Sequence, residues 1–169
     1  GEAARADLSL GGFIWDTNIV PMKDSGGQTI KIFITAIDIT QRKTAEDTLR
    51  LESDLWRSLM DTIPDTIYFK DADSRFTKIN KAQADVLGIS TEADAIGKTD
   101  ADFFTDEHVA VSTADERRII QNGEKILGKV EKVISKSGKM RWFTTSKVPL
   151  RDKNGRIVGI VGSSRDITD

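Results

Sequence analysis

Residues 148–168, VPLRDKNGRIVGIVGSSRDIT, repeat residues 20–40, VPMKDSGGQTIKIFITAIDIT, without a gap and at a constant offset of 128 positions. Each copy opens on Val-Pro, carries an Asp and then a Gly three residues on, and closes on Asp-Ile-Thr. A repeated segment of this length marks a repeated structural unit. Each copy reads as a strand reaching the proline, a turn, and a second strand. In the turns, Asp24 and Asp152 can accept backbone hydrogen bonds, and glycine tolerates positive φ. In the first copy Ile30, Ile32 and Ile34 alternate with Lys31, Phe33 and Thr35, a β-branched strand pattern. Only the second copy has a domain's length of sequence before it. The chain therefore divides into the tail of one domain (1–40), a linker helix (41–63) and one whole domain (64–169). Residues 1–12, GEAARADLSLGG, carry little fold information and are open to being an appended remnant.

At 169 residues the chain has room for one domain and a fraction of another. Its 25 basic and 27 acidic residues nearly cancel, so no global field points to nucleic acid or to direct membrane contact. There is no run of 18 apolar residues and no signal-peptide pattern. Cysteine is absent, which excludes disulfides, thiolate metal ligands, a cysteine nucleophile and a cysteine-linked chromophore. The expected location is the cytoplasm, either free or as the cytoplasmic part of a membrane-anchored sensor.

From Thr40 to Met60 there is no proline or glycine. Ala45, Leu49, Glu52, Trp56, Leu59 and Ile63 fall at spacings of 4, 3, 4, 3 and 4. This heptad-like seam, with Leu49, Trp56, Leu59 and Ile63 as its apolar members, is compatible with a homodimer through the linker helix. Leu51 and Leu55 widen the stripe, as expected of a helix that also packs on a domain. Pro64 ends the helix. Strands are expected at 66–70 and 75–79. A helix follows from Lys81 to Leu87, capped by Asn80 and closed by Gly88. Residues 91–104 read as irregular, with Phe103 and Phe104 as core anchors. Thr105, Asp106 and Glu107 open a long helix that ends near Asn122-Gly123. Strands at 129–135, 140–148 and 157–164 complete the chain. Five strands joined mostly by short links, with helices on one side, define an antiparallel α+β fold.

In this order the span 64–169 resembles a Per-Arnt-Sim (PAS) sensory domain. The resemblance rests on Pro64-Asp-Thr-Ile-Tyr68, Phe76 to Asn80, Ala84 to Gly88, Ile96-Gly-Lys98, Gly138 to Trp142, and Val158-Gly-Ile-Val-Gly162 into Arg165-Asp-Ile-Thr168. Residues 13–40 resemble the last two strands of a second such domain. The resemblance implies a five-stranded antiparallel sheet whose first strand lies between the second and the last, with helices on one face enclosing a small pocket. It also implies a regulatory, non-catalytic module attached to an output domain. A histidine kinase of a two-component system is expected first and a diguanylate cyclase second. A ligandless dimerisation or spacer module is the alternative. The Asp-Ile-Thr units, Asp38 with Thr40 and Asp166 with Thr168, are implied to be the junctions from which a signal leaves the sheet.

Tyr68, Phe76, Phe103, Phe104, Ile119 and Trp142 fall on the elements that surround the family's pocket and are the ligand-lining candidates. The same side chains would equally serve to fill a core. A small-molecule ligand is compatible with such a pocket, and no cofactor is assigned. Haem through His108, the only histidine, and noncovalent flavin are both disfavoured, and no metal site is expected. Asp100, Asp102, Asp106 and Glu107 form a dense acidic set that the field of a helix start explains without catalysis.

Overall fold

The computed structural model describes residues 2–168, which form two compact units divided between Trp56 and Arg57. In the first unit, β1 (Ala4–Leu10), β2 (Phe13–Lys23) and β3 (Thr29–Asp38) form an antiparallel sheet in that order. The expected hairpin is thus one edge of a three-stranded sheet. The stretch read as uninformative supplies β1, paired from Ala4 with Ile19 to Leu10 with Phe13. The signal was there: Ala4, Ala6, Leu8 and Leu10 alternate with Arg5, Asp7 and Ser9, the period of a strand. Ile30, Ile32, Phe33, Ile34 and Ile37 of β3 are all exposed, so neither face of this strand is covered.

The helix α1 runs from Thr40 to Thr62. It stops one residue before Ile63 because the proline at 64 disfavours helical geometry in the residue preceding it. Leu49, Leu51, Leu55, Trp56 and Leu59 are exposed along it, Ile63 just beyond it is half-buried, and Met60 is buried.

In the second unit β4 (Thr66–Asp71), β5 (Phe76–Ile79), β6 (Ile126–Ile134), β7 (Met140–Arg151) and β8 (Ile157–Asp166) form one antiparallel sheet in the order β5-β4-β8-β7-β6. The first strand of the domain lies between the second and the last, as expected. β6 begins at Ile126 rather than Lys129 because a register shift admits Gly128, whose N–H donates to Ser146 Oγ at 3.1 Å. α2 (Lys81–Leu87) packs on β4, and α3 (Asp106–Asn122) packs on β6, β7 and β8. Asn80 starts α2 because its Oδ1 accepts from Gln83 N at 3.0 Å. Tyr68, Phe76, Ile79, Leu87, Phe104, Val133 and Phe143 form the core between helices and sheet.

The duplication extends to hydrogen bonds. Asp24 Oδ1 accepts from Gly26 N and Gln28 N at 2.9 Å each, and Asp152 Oδ1 accepts from Asn154 N and Arg156 N at 2.8 and 2.9 Å. Gly27 and Gly155 take φ of +83° and +78°. A register shift falls between Met22 and Lys23 and again between Leu150 and Arg151. The offset is that of the sequence repeat at every one of these positions.

Candidate functional site

Alternation along the strands decides which side chains enter the space between sheet and helices. On β4, Thr66, Tyr68 and Lys70 point inward; on β7, Phe143, Thr145 and Lys147 do. β8 contributes Gly162 and Ser164. Gly162 pairs with Tyr68 and has no side chain because the ring occupies its place. A Cβ there would lie 2.2 Å from Tyr68 Cζ. Beside this ring is a cavity of about 40 Å³. Tyr68, Phe76, Phe104 and Phe143 supply its apolar wall, and Thr145, Ser164, Lys147 and Glu131 its polar groups.

Of the six expected pocket residues, Tyr68, Phe76 and Phe104 line this cavity. Phe103 lies outside it, edge-on to Phe76 at 6.1 Å, and Ile119 is fully buried on α3 without reaching it. Trp142 is 41% exposed, on the face opposite Phe143. The sheet hydroxyls that face inward are Thr66, Thr145 and Ser164, the last two joined at 2.9 Å.

Adjoining the cavity, and lining it through Asp100, Ser112 and Lys147, is a buried ionic network. Lys70, only 1% exposed, places Nζ 2.6 Å from Glu116 Oε1 and 2.7 Å from Asp100 Oδ1. Ser112 Oγ donates to Asp100 Oδ2 at 2.6 Å and accepts from Lys147 Nζ at 3.0 Å. Lys70 Nζ also lies 4.7 Å from the centre of the Phe76 ring, a cation–π contact. Burial works against a charged Lys70, but Asp100 and Glu116 outweigh it and hold its pKa above the ordinary 10.5. Burial likewise opposes the charge on Asp100, yet Lys70 and Lys147 hold its pKa below 3.8. Burial drives Tyr68 well above 10.0 and His108 below 6.5. The neutral His108 lines the cavity edge-on to Phe104, ring centres 4.9 Å apart.

The acidic set of the sequence therefore splits. Asp100 enters the ionic network, Asp102 accepts from Thr99 N at 2.8 Å, and Asp106 and Glu107 lie in the first turn of α3. Among the described residues no group of three or more His, Asp or Glu side chains is placed to hold a metal ion.

The two Asp-Ile-Thr units form the same lock. Asp38 Oδ1 accepts from Thr40 N at 2.9 Å and from Thr40 Oγ1 at 2.6 Å, and Thr40 Oγ1 accepts from Ile14 N at 2.8 Å. Asp166 Oδ1 accepts from Thr168 N at 3.0 Å and from Thr168 Oγ1, and Thr168 Oγ1 accepts from Trp142 N at 3.1 Å. Ile14 and Trp142 are themselves 128 residues apart and lie outside the repeated sequence. The second lock adjoins the cavity: Phe143, which lines it, pairs with Asp166 in the β7–β8 register.

A five-stranded antiparallel sheet in this order, with helices on one face enclosing a cavity, is the architecture of a PAS sensory domain. Residues 60–169, more than half of the chain, match the family described as PAS_4, PAS fold, and the chain belongs to that family. It is a PAS sensory module related to sensor histidine kinases and to a diguanylate cyclase. The methanogenesis regulatory histidine kinase FilI of Methanothrix harundinacea is 31% identical over 121 residues, 72% of this chain and 13% of that protein. A diguanylate cyclase of Vibrio cholerae is 28% identical over 75 residues, 44% of this chain and 23% of that protein. The Vibrio cholerae VqmA–ligand–DNA complex is similar at a TM-score of 0.60 and 27% identity, over 66% of this chain and 50% of that one.

Lys70, Glu116, Lys147 and Glu131 escaped the sequence reading because charged residues are ordinarily at the surface. The available signal was strand parity, which puts Lys70 on the face of Tyr68 and Lys147 on the face of Phe143.

Proposed function

We propose that residues 64–168 sense a small molecule in the cavity and pass its occupancy through β7 and β8 to the Asp166–Thr168 lock. The carrying observation is adjacency. Ser164 lines the cavity two residues before Asp166, and Phe143 lines it one residue after Trp142, whose N–H holds Thr168. A ligand that shifts either strand moves a group bonded to the lock. Residues 1–40 are read as the closing strands of an upstream PAS domain, supported by the matching lock at Thr40 and the uncovered apolar residues of β3. On this reading α1 carries the upstream domain's state onward.

The output domain of the whole protein is proposed to be a histidine kinase, by kinship with FilI, with a diguanylate cyclase as the alternative. No helix among the described residues is long and apolar enough to cross a membrane. Native mass spectrometry of the purified chain is expected to find a small molecule held one per subunit. Thr145→Phe, which fills the cavity, should abolish it. If no molecule is held, and hydrogen exchange across 160–168 is the same in both proteins, the sensory reading is overturned.

One observation favours a second role. Leu49, Leu55, Trp56 and Leu59 form an exposed apolar row along α1, compatible with pairing to a second copy. Sedimentation velocity of the chain and of Trp56→Glu/Leu59→Glu tests it, the double variant being expected to remain monomeric.

A further inference from the structure

Inside the second unit the ionic network balances Asp100 and Glu116 against Lys70 and Lys147. Glu131 on β6 is a third buried carboxylate, 8% exposed, and it lines the cavity. Its Oε1 has no hydrogen-bond partner. The nearest cation, Lys129 Nζ, lies 3.3 Å from that oxygen without hydrogen-bond geometry and spends its short bond on Asp115. A buried carboxylate left this way costs stability unless something else completes it. The other charged lining groups, Asp100 and Lys147, are already bonded through Lys70 and Ser112, and the rings of Tyr68, Phe76, Phe104 and Phe143 share the rest of the wall with hydroxyls of Thr66, Thr145 and Ser164. Ring faces with one incompletely satisfied carboxylate suit an organic ammonium group, which takes a charge-assisted hydrogen bond and cation–π attraction together.

Resting on the proposed sensory role of the cavity, we infer that its ligand is a compact primary amine. Its ammonium group is bound by Glu131 and its small apolar body lies among the aromatic rings. A carboxylate-bearing ligand would add a fourth negative charge to this interior and is rejected by it.

The test uses three probes of one size, propylamine, 1-propanol and propionate, titrated at neutral pH while amide NMR shifts are followed at Phe143, Thr145 and Ser164. Propylamine is expected to bind about tenfold or more tightly than 1-propanol, a difference of about 1.4 kcal/mol. Propionate is expected to bind most weakly. Glu131→Gln should erase the preference for the amine, leave 1-propanol binding within about twofold, and melt at an equal or higher temperature. If 1-propanol or propionate binds as well as the amine, the amine class is overturned while the cavity stands as a ligand site. If none of the three shifts those amides, both the amine and the cavity reading fall. An amine preference that survives in Glu131→Gln, or a variant that melts lower than wild type, overturns the role given to Glu131.

Discussion

Asn80 Nδ2 donates a 3.1 Å hydrogen bond to the Met60 carbonyl, fastening the last turns of α1 to the start of α2. The same side chain donates to Asp65 O at 2.9 Å and accepts from Ile67 N at 2.9 Å and Gln83 N at 3.0 Å. One buried amide thus satisfies groups on four segments. Asn80→Ala removes all of these bonds, with a longer one to Ile63 O, and is expected to cost about 2–4 kcal/mol, read by urea denaturation. Asn80→Asp retains both acceptor roles and loses the donations. Hydrogen exchange should then quicken around residues 58–64 while α2 keeps its protection.

Lys70 sits between two carboxylates in a site nearly closed to water. Lys70→Met strands Asp100 and Glu116 and is expected to cost about 3–5 kcal/mol. Adding Glu116→Gln removes one of the stranded charges, so the double variant should be destabilised by less than the sum of the singles. Additive losses in chemical denaturation would count against a coupled network.

The pKa directions set both edges of the stability profile. His108 is held below 6.5 by burial, so the unfolded chain takes up its proton first and stability falls as pH drops through about 6.5. Asp100 stabilises above 3.8 and loses that contribution as pH falls below it. At the other edge, unfolded tyrosine ionises before Tyr68 does, so stability declines above about 10. The contribution of Lys70 is complete below 10.5 and lost above it. Melting temperature from about pH 5 to about pH 11 should trace a plateau falling at both ends. His108→Gln should flatten the fall between about pH 7 and about pH 5.

Gly162 gives Tyr68 its place. Gly162→Ala would drive the ring off its seat and is expected to destabilise by about 1–3 kcal/mol, with the cavity reshaped. Tyrosine fluorescence and the propylamine titration should both change. Gly162→Ala/Tyr68→Ala should relieve the overlap, so that its loss falls short of the sum of the two single losses.

The lock at Asp38 is expected to hold the first turn of α1. Asp38→Ala removes both of its bonds to Thr40. Exchange at residues 41–48 should quicken with residues 64–168 unchanged, and unaltered protection at the helix start would contradict this role.

What the sequence made legible follows from where local chemistry decides structure. α2 was readable to the residue because Asn80 and Gly88 cap it by local bonds alone. The turns at Asp24 and Asp152 were readable for the same reason. β1 was weakly legible: its residues alternate, but small and exposed side chains make the alternation faint. The aromatic wall was half legible: Tyr68, Phe76 and Phe104 line the cavity and Trp142 does not, because one residue of strand parity sends a side chain to the other face. The ionic interior was not legible as a unit, because its members come from β4, the Asp100–Asp102 turn, α3 and β7 and meet only in three dimensions.

The constant offset between the two hairpins makes residues 20–40 and 148–168 matching parts in their backbones and unequal parts at two glycines. Positions 31 and 34 are lysine and isoleucine, and their counterparts at 159 and 162 are glycines. A chimera carrying 20–40 in place of 148–168 would inherit a compatible turn, bulge and lock, yet fail where the lysine meets the Lys70 backbone and the isoleucine meets the Tyr68 ring. Restoring glycine at both positions should remove the clashes. The scaffold is transferable, while the room for a ring, and with it the cavity, is the property of a single missing side chain.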